Sequence, residues 1–222
     1  MKIFVAIPAY NEKTKIKTVV GDVKKEGYQN VLVVDDGSSD DTFEMAQKAG
    51  ATTIKHLINR GKGAATKTAL KGALALGAEI VVTIDGDGQH DPKDISRAIQ
   101  PLLDKKIDVV LGSRFKSKNK IPFLRRFYNW IGNLVTFALG GVFVSDSQSG
   151  FRAYSKKALG LIDTRGDRYE FESEIIHEIS QNKLSFTEVP VKVRYTKYSM
   201  TKGQGLKNGI KTFLRLFLKK IV

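Results

Sequence analysis

The sequence predicts an α/β fold in which a mostly parallel sheet is flanked by helices on both faces. Short apolar runs alternate with stretches of helical periodicity from the first residues to Gly112, which is the order that βα units give. Each apolar run is followed by a loop that contains glycine, asparagine or aspartate. The run Ile80-Val81-Val82-Thr83-Ile84 is apolar on both of its alternating faces, as expected for a central strand covered on both sides.

The first half of the chain is predicted to contain five strands separated by four helices. The strands are expected over 2–7, 31–34, 51–55, 80–84 and 109–111, and the helices over 13–25, 42–49, 64–76 and 92–103. The first helix has the spacing of one buried face, with apolar residues at Ile16, Val19, Val20 and Val23. Ser39 or Asp40 can cap the second helix, and Gly77 is expected to close the third.

The pattern changes after Gly112. We predict a helix over 121–143 in which basic and aromatic residues are mixed, a strand over 151–154, a helix over 171–181 and an edge strand over 186–195. Residues 206–222 are predicted to form a basic amphipathic helix appended to a single domain over residues 1–205. Apolar residues fall on one face of that helix, and basic residues follow at four-residue steps at Lys207, Lys211, Arg215 and Lys219.

Composition limits the classes of protein that fit. With 222 residues, 41% of them hydrophobic, the chain can bury one substantial core. It contains no cysteine, which excludes disulfide bonds, thiol catalysis and cysteine-ligated zinc. No secretory leader is recognisable at the amino terminus, and no apolar run reaches the roughly 18 residues of a transmembrane helix. We therefore expect a cytoplasmic protein.

The formal net charge is +14 and the isoelectric point is about 9.8. Such a charge fits three kinds of partner, namely nucleic acid, an anionic membrane surface or a phosphate-rich substrate. The basic residues concentrate within 116–126 and 192–220, whereas the acidic residues gather in the first half. The positive charge therefore belongs to the segments that follow the βα alternation.

The strand over 80–84 leads directly into a turn that contains Asp85, Asp87 and Gln89. Gly86 and Gly88 let the chain turn, so the three polar side chains are expected at the carboxyl end of a parallel strand, where open α/β sheets bind their ligands. Mg²⁺ and Mn²⁺ prefer such oxygen atoms and take one or two carboxylates together with substrate phosphates. Taken alone, the stretch could also be a solvated acidic turn.

Residues 8–12 and 35–38 follow two other strands and carry polar groups to the same edge. Neighbouring carboxylates repel each other unless hydrogen-bond donors or cations bind them, and a ribose or base with a metal-bound pyrophosphate would do so. This combination predicts a nucleoside diphosphate donor. A dinucleotide site fits less well, because Gly61-Lys62-Gly63 lacks the third glycine and follows the third strand, and a Walker A sequence is absent. Lys62 is either an exposed loop lysine, which is the favoured interpretation, or a neighbour of the phosphates.

Six short motifs occur in the order found in one enzyme family. They are Pro8-Ala9-Tyr10-Asn11-Glu12, Val34-Asp35-Asp36-Gly37-Ser38, the loop 59–63, Asp85-Gly86-Asp87-Gly88-Gln89-His90, Gly112-Ser113-Arg114 and Ser149-Gly150-Phe151-Arg152. Through these motifs the whole chain resembles the family 2 glycosyltransferases of GT-A fold, and most closely the synthases of polyprenyl- and dolichyl-phosphate sugars.

The resemblance implies a role for each matching residue. The nucleotide sugar would be bound by Pro8, Tyr10, Glu12, Val34, Asp36, Asp85, Gly86, Asp87, Gln89, Arg114 and Lys202. Asp85 and Asp87 match the D-x-D pair of the family, and a Mg²⁺ or Mn²⁺ ion would be held by Asp85, Asp87 and Gln89. Arg114 matches an arginine that binds phosphate, and Arg126 matches a second one near the acceptor. The implied catalytic residues are Asp87, Arg114 and Arg126.

The late loop departs from the family's pattern. Relatives often carry arginine six residues before the lysine that corresponds to Lys202, and this chain has Thr196 there. Arg194 or Lys197 could compensate for the missing arginine.

Several other residues have competing interpretations. Glu174 occupies a position that is commonly acidic in the family, although a solvated helix face explains it equally well. His90 is expected to shape its loop rather than bind a metal, and His56 and His177 are expected to be structural. Trp130, among phenylalanines and basic residues, is interpreted as an interfacial anchor in preference to a core residue.

The resemblance implies inverting transfer of a hexose, from a donor of the GDP-mannose or UDP-glucose type, to a polyprenyl or dolichyl phosphate. Cleavage of the bond to the anomeric carbon leaves negative charge on a diphosphate, which a metal and arginines stabilise. The acceptor phosphate is already an anionic nucleophile and needs no strong general base. We expect a peripheral enzyme at the cytosolic face of a membrane.

Two other functions stay open. The same fold could serve a polysaccharide or another soluble acceptor, although the basic tail and the helix over 121–143 are not needed for one. The charge of +14 could instead indicate a nucleic-acid-binding domain. The sequence carries no recognised nucleic-acid-binding motif, so we expect no nucleic acid partner.

Overall fold

The computed structural model describes residues 1–104, 106–117, 121, 123–167 and 170–194. The strands are β1 Ile3–Ala9, β2 Val31–Asp35, β3 Thr52–Lys55, β4 Ile80–Thr83, β5 Val109–Ser113, β6 Arg152–Ser155 and β7 Phe186–Pro190. The helices are α1 Ile16–Lys25, α2 Thr42–Lys48, α3 Lys62–Ala75, α4 Asp94–Leu103, α5 Phe123–Gly140, α6 Lys156–Leu161 and α7 Glu170–Gln181. The α/β class and the predicted alternation up to Gly112 are confirmed.

The seven strands form one sheet in the order β3-β2-β1-β4-β6-β5-β7. Strand β6 is antiparallel to its neighbours β4 and β5, and the other neighbouring strands are parallel. The prediction of a mostly parallel sheet is therefore confirmed. Because β4 and β5 both run opposite to β6, their carboxyl ends lie at the same edge as those of β1 and β2. The candidate site lies at this edge.

Helices cover both faces of the sheet, so the core consists of two apolar clusters. One cluster contains Val5 and Ile7 of β1 with side chains from α1, α2 and α4. The other contains Phe4 and Ala6 of the same strand with side chains from α3, α6 and α7. Full burial of each valine or isoleucine contributes roughly 1.5–3 kcal/mol, and every residue of β1 after Ile3 is buried. The loops at the strand ends are thus anchored to strands that are buried in the core.

Helix α3 ends as predicted but starts earlier. Gly77 has a φ of +84° and its N–H donates to the carbonyl of Leu74 at 2.9 Å, which is part of a Schellman-type closure. The helix begins at Lys62 rather than at residue 64, because Gly61, with a φ of +110°, takes the N-cap position.

The cap predicted for α2 needs a correction. The N-cap residue is Asp41, and neither Ser39 nor Asp40 takes that position. The Asp40 carboxylate nevertheless accepts a hydrogen bond from the N–H of Thr42 at 3.1 Å, so it satisfies a donor of the first turn from one position further out.

The second half of the chain contains one helix that the sequence pattern did not predict. Helix α6 has six residues, too few to show a helical period. Its N-cap is Ser155, whose hydroxyl accepts from the N–H of Ala158 at 3.2 Å. Strand β7 lies at the sheet edge as predicted, but it ends at Pro190, earlier than the predicted end at residue 195. The predicted helix over 206–222, and with it the boundary of the domain over 1–205, lies outside the described residues.

Candidate active site

Three strand ends meet at the carboxyl edge of the sheet. Strand β1 lies between β2 and β4, and the N–H of Asp36 donates to the carbonyl of Ala9 at 2.8 Å. A Cβ atom added to Gly86 would lie 3.2 Å from the carbonyl oxygen of Pro8, so the turn after β4 passes close to the end of β1. The expected convergence of these three loops is confirmed.

The turn after β4 is organised by hydrogen bonds within itself. The backbone N–H of Gln89 donates to Asp87 Oδ1 at 3.0 Å, and the Gln89 side-chain amide donates to Asp87 Oδ2. The N–H of Asp85 donates to Nδ1 of His90 at 3.2 Å, and the His90 ring contacts Phe151 edge to face. Burial lowers the pKa of His90. His90 therefore shapes the turn, as predicted.

Lys62 is the residue whose predicted environment was wrong. It is the first residue of α3, and its side chain is 31% exposed. It is therefore not the exposed loop lysine that the sequence favoured. Its Nζ lies 2.7 Å from Asp85 Oδ1 and 3.2 Å from Glu172 Oε1. Burial opposes the charge of Asp85, but Lys62, His90 and Arg114 lower the pKa of its carboxyl to about 2. Burial also opposes the charge of Lys62, but Asp85 and Glu172 raise its pKa above the usual value.

Glu172 belongs to a buried ion pair that the sequence analysis missed, since it singled out Glu174 on the same helix. The Glu172 carboxylate lies 2.8 Å from Nη2 of Arg152, and both side chains are almost fully buried. Arg152 also donates to the carbonyl oxygens of Ser147, Ser149 and Glu172 at 2.7, 3.0 and 3.0 Å. The pair therefore fixes the loop that leads into β6.

That loop lies against the acidic turn. A Cβ atom added to Gly150 would lie 2.6 Å from both Asp85 Oδ1 and Lys62 Nζ. A side chain at position 150 would therefore push the ends of Asp85 and Lys62 out of these positions, whereas Gly150 leaves them in place.

Arg114 follows β5 and is held by a second carboxylate that the sequence analysis missed. Its Nε and Nη2 donate to Oδ2 and Oδ1 of Asp146 at 2.7 and 2.6 Å. The Asp146 side chain is fully buried, and that of Arg114 is 15% exposed. Such a two-point pair fixes the guanidinium plane, so the predicted phosphate-binding arginine is present in a fixed orientation at the correct edge of the sheet.

The predicted nucleoside-binding residues have different surroundings. Pro8 and Val34 are partners in the register of β1 and β2 and are buried. Glu12 is also buried, whereas Tyr10 is 46% exposed. The proposed nucleotide contacts of these residues, and of Gly86, stay predictions.

Asp36 holds the loop that precedes α3. Its carboxylate accepts from the N–H groups of Arg60 and Gly61 at 3.1 and 2.7 Å and lies 2.7 Å from Nδ1 of His56. The other nitrogen of His56 lies 2.9 Å from the Thr68 hydroxyl, so His56 has the structural role that was expected. Asp36 thereby sets the position of the α3 start, in addition to its predicted contact with the nucleoside.

Asp35 is a further acidic residue at this edge. It is fully buried, and its Oδ1 accepts from the N–H of Ser38 at 3.2 Å. Within the described residues Oδ2 receives no hydrogen bond, and the nearest cation is Lys55 Nζ at 3.9 Å. Asp35, which precedes the predicted nucleoside-binding residue Asp36, thus offers a buried hydrogen-bond acceptor beside the strand ends.

The remaining predicted residues lie further from the acidic turn or outside the described part. Lys202, Thr196 and Lys197 fall in the undescribed segment after residue 194. Arg194 contacts Asp91 at 3.3 Å, and its N–H donates to the carbonyl of Gln89 at 2.9 Å. The chain that leaves β7 is therefore attached to the acidic turn.

Glu174 and His177 lie on α7. Glu174 accepts from the N–H groups of Arg165 and Gly166 at 2.9 and 2.6 Å, so it organises the loop before α7. The Nδ1 atom of His177 is buried and has no hydrogen-bond partner within the described part of the chain.

Helix α5 carries Arg126 and an apolar stripe. Arg126 is exposed, and the described residues give it no ion pair. The stripe follows helical spacing through Phe127, Trp130, Leu134 and Phe137, which are 49%, 60%, 53% and 45% exposed. The rings of Phe127 and Trp130 stack with their centroids 6.4 Å apart. None of the described helices combines the length and apolarity needed to cross a membrane.

The acidic turn fits a divalent cation that is shared with a substrate. The described residues contain no cluster of three or more His, Cys, Asp or Glu side chains that could enclose a metal. Mg²⁺ and Mn²⁺ sites in enzymes of phosphate substrates need only one or two carboxylates, because the phosphates complete the coordination. Asp85 already accommodates a cationic group, the ammonium of Lys62, at 2.7 Å. Asp85, Asp87 and the Gln89 amide oxygen therefore match the donor set that such an ion prefers.

Several known proteins with similar sequences or folds are named as glycosyltransferases or as synthases of sugar phosphates. The family model of Glycosyl transferase family 2 matches residues 4–161. A UDP-N-acetylglucosamine–dolichyl-phosphate N-acetylglucosaminyltransferase of Methanococcus voltae is 41% identical over 99% of this chain and 96% of that protein. A polyprenol monophosphomannose synthase of Mycolicibacterium smegmatis is 29% identical over 92% of this chain and 82% of that protein.

The crystal structure of glucosyl-3-phosphoglycerate synthase from Mycobacterium tuberculosis, in complex with Mn²⁺, UDP and glucosyl-3-phosphoglycerate, has the same fold. Its TM-score is 0.71 at 22% identity, over 97% of this chain and 79% of that chain. With a family model that spans residues 4–161 and a relative that is 41% identical over nearly its whole length, this chain belongs to the family 2 glycosyltransferases of GT-A fold.

Proposed function

We propose that the enzyme transfers a sugar from a nucleoside diphosphate sugar to a polyprenyl or dolichyl phosphate at a membrane surface, with inversion at the anomeric carbon. The observation that carries the proposal is the likeness to the Methanococcus voltae enzyme, which extends over 96% of that protein and whose name specifies a dolichyl phosphate acceptor. The mycobacterial relative is also named for a polyprenol monophosphate product. Two relatives with different sugars thus share one class of acceptor.

The relatives constrain the identity of the sugar less than they constrain the class of acceptor. Sequence resemblance alone implied GDP-mannose or UDP-glucose as the type of donor. The relative named for UDP-N-acetylglucosamine is 41% identical, whereas the relative named for mannose is 29% identical. UDP-N-acetylglucosamine is therefore the donor that we propose to test first.

Some residues of the site are proposed to bind the donor, and others are proposed to bind the acceptor. Asp85, Asp87 and Gln89 would hold a Mg²⁺ or Mn²⁺ ion, which when bound neutralises charge on the diphosphate leaving group. Arg114, fixed by Asp146, directs positive charge to the same edge of the sheet. Lys202 is proposed to approach the donor from the late loop.

The acceptor needs a different kind of binding site. Its phosphate is ionised at neutral pH and attacks without a strong general base. Arg126 is proposed to bind this phosphate, because it is exposed on α5 beside the apolar stripe. A guanidinium suits a phosphate through paired hydrogen bonds. The isoprenoid chain would lie in the membrane to which the stripe docks.

Membrane attachment is proposed to be peripheral and cytosolic. Exposed aromatic side chains favour the interface between lipid and water, and α5 exposes Phe127 and Trp130. The sequence 206–222 adds basic residues at four-residue steps, each of which contributes about 1 kcal/mol near an anionic surface. The enzyme would then meet its lipid substrate where it docks.

A donor and acceptor screen tests the proposed function. Purified enzyme with Mn²⁺ or Mg²⁺ is incubated with UDP-N-acetylglucosamine, UDP-glucose or GDP-mannose and with a long-chain polyprenyl phosphate. We expect one labelled sugar to pass into the organic phase as an alkali-stable, acid-labile lipid phosphate with the opposite anomeric configuration. Transfer to a soluble saccharide, with none to the lipid phosphate, would instead support the soluble-acceptor alternative and overturn the proposal.

A further inference from the structure

Lys62 lies between two carboxylates that belong to different parts of the site. Its Nζ is 2.7 Å from Asp85 Oδ1 and 3.2 Å from Glu172 Oε1. Asp85 is 26% exposed and lies in the acidic turn, whereas Glu172 is 6% exposed and lies on α7. In this arrangement the ammonium contacts an oxygen atom that a divalent cation would also use.

The surroundings of the lysine are fixed, although its side chain is long. The backbone at the start of α3 is held by the hydrogen bond from Gly61 N–H to Asp36 Oδ2 at 2.7 Å. Glu172 is held by the buried guanidinium of Arg152 at 2.8 Å. Four alternating charges therefore follow one another from Arg152 through Glu172 and Lys62 to Asp85. Of these groups, Lys62 has the longest flexible stem, with four methylene groups, so it can shift between its two partners.

A divalent cation and the Lys62 ammonium cannot both remain in contact with the same oxygen of Asp85. Like charges a few ångströms apart repel strongly in a partly buried site. The cation must therefore displace the ammonium, and Glu172 provides a second carboxylate that can keep it inside the site. A nucleoside diphosphate brings negative charge of its own, which favours this exchange.

We propose that Lys62 is a positioning residue that contacts Asp85 until a divalent cation binds there, and that Glu172 then keeps the ammonium inside the site. The inference rests on the proposed function, since it takes Asp85 as a ligand of the cation that accompanies the donor. It has a direct consequence for binding. The cation alone binds weakly, and the cation and the nucleotide bind well only together.

The test is a measurement of Mn²⁺ affinity without nucleotide, by electron paramagnetic resonance of the free ion. Lys62→Met removes the competing ammonium, and we expect Mn²⁺ to bind about fivefold to tenfold more tightly than to the wild type. Lys67→Met is the matched control, because Lys67 lies on the same helix and pairs with Asp167 outside the acidic turn. Its Mn²⁺ affinity should stay within about twofold of the wild type.

A second variant should change the Mn²⁺ affinity in the opposite direction. Glu172→Gln removes the alternative partner, so Lys62 stays with Asp85 and Mn²⁺ alone should bind more weakly. Arg152 loses its buried partner in this variant, so the fold is checked by circular dichroism. If Glu172→Gln does not fold, the comparison of Lys62→Met with Lys67→Met decides alone. An unchanged or weaker Mn²⁺ affinity in Lys62→Met overturns the proposal.

Asp87→Ala separates this inference from the proposed function. If Mn²⁺ binding in the presence of UDP is as strong in Asp87→Ala and Asp85→Asn as in the wild type, the cation site lies elsewhere. The assigned cation ligands and the exchange are then both wrong, whereas the donor and acceptor screen still tests the proposed function. If both substitutions abolish that binding while Lys62→Met changes nothing, the cation site stands and only the exchange is wrong.

Discussion

The proposed donor side, at the ends of β1, β2 and β4, and the proposed acceptor side, on α5, differ in how their charged groups are held. At the ends of β1, β2 and β4, Asp36 accepts backbone hydrogen bonds and Asp85 pairs with Lys62. On α5, Arg126 is exposed and has no ion pair among the described residues, and Trp130 is 60% exposed. This difference supports the proposed division, in which the strand ends bind a small polar donor and α5 faces a partner that covers apolar surface.

The largest effect is expected from a change on the donor side. Asp87→Ala should lower transfer by about a hundredfold to a thousandfold, because the leaving diphosphate loses electrostatic stabilisation. The fold should remain, since among the described residues the carboxylate bonds only within its own turn. The effect is measured as initial rates without EDTA, with EDTA, and after Mn²⁺ or Mg²⁺ has been added back. Asp104→Ala, an exposed carboxylate at the end of α4, is the control, and full activity of Asp87→Ala in EDTA would contradict the assignment.

Removal of residues 206–222 tests whether the acceptor side extends into the tail. The four basic residues at four-residue steps each contribute about 1 kcal/mol of attraction to an anionic surface. Deletion should therefore release the enzyme from anionic liposomes in flotation and slow transfer to long-chain polyprenyl phosphate. Transfer to a short, water-soluble prenyl phosphate should be largely spared. Unchanged liposome binding would place the anchor on α5 alone.

Arg126→Ala should separate the two sides. Loss of one charge-assisted contact with phosphate costs about 1.5–3 kcal/mol, so the KM for the lipid phosphate should rise by about tenfold or more. Calorimetric affinity for the nucleotide should stay the same. Asp36→Ala should do the reverse, and Arg165→Ala, an exposed arginine near α7, should change neither. Loss of nucleotide affinity in Arg126→Ala with normal acceptor dependence would require the roles to be exchanged.

The smallest effect is expected from the apolar stripe. Leu134→Ala shortens one side chain of the stripe. Because each methylene group that enters lipid contributes roughly 0.8 kcal/mol, we expect liposome binding to weaken by about threefold to tenfold. Leu76→Ala is matched in chemistry and exposure, at 44% against 53%, but lies at the other end of α3 from the site. Equal effects of the two substitutions in sedimentation with vesicles would show that the stripe is not the docking face.

The sequence predicted the strands and turns of the proposed donor side well because their signals are local. The apolar strand followed by Asp85, Gly86 and Asp87 is a pattern within a few residues, and so is the helical period of α1. The antiparallel insertion of β6 between β4 and β5 leaves no such trace, because strand order is set by contacts between distant segments.

The ion pairs of the site were missed for the same reason. Arg114 and Asp146 are 32 residues apart in sequence, and Glu172 lies on the helix that follows the whole β6 region. Lys62 was misjudged because the Gly-Lys-Gly sequence is typical of a loop, whereas the positive φ of Gly61 lets α3 begin at once. Pairing of oppositely charged side chains across a fold depends on tertiary placement, which periodicity does not contain.

The attachment of Arg194 to the acidic turn sets a limit on the segment that follows it. The N–H of Arg194 bonds to the carbonyl of Gln89 at 2.9 Å, and Val193 forms a bridge with His90. Lys202 comes eight residues later, and a fully extended chain of that length spans at most about 28 Å. Any contact of Lys202 with the proposed nucleotide site must therefore be made within that reach of Arg194.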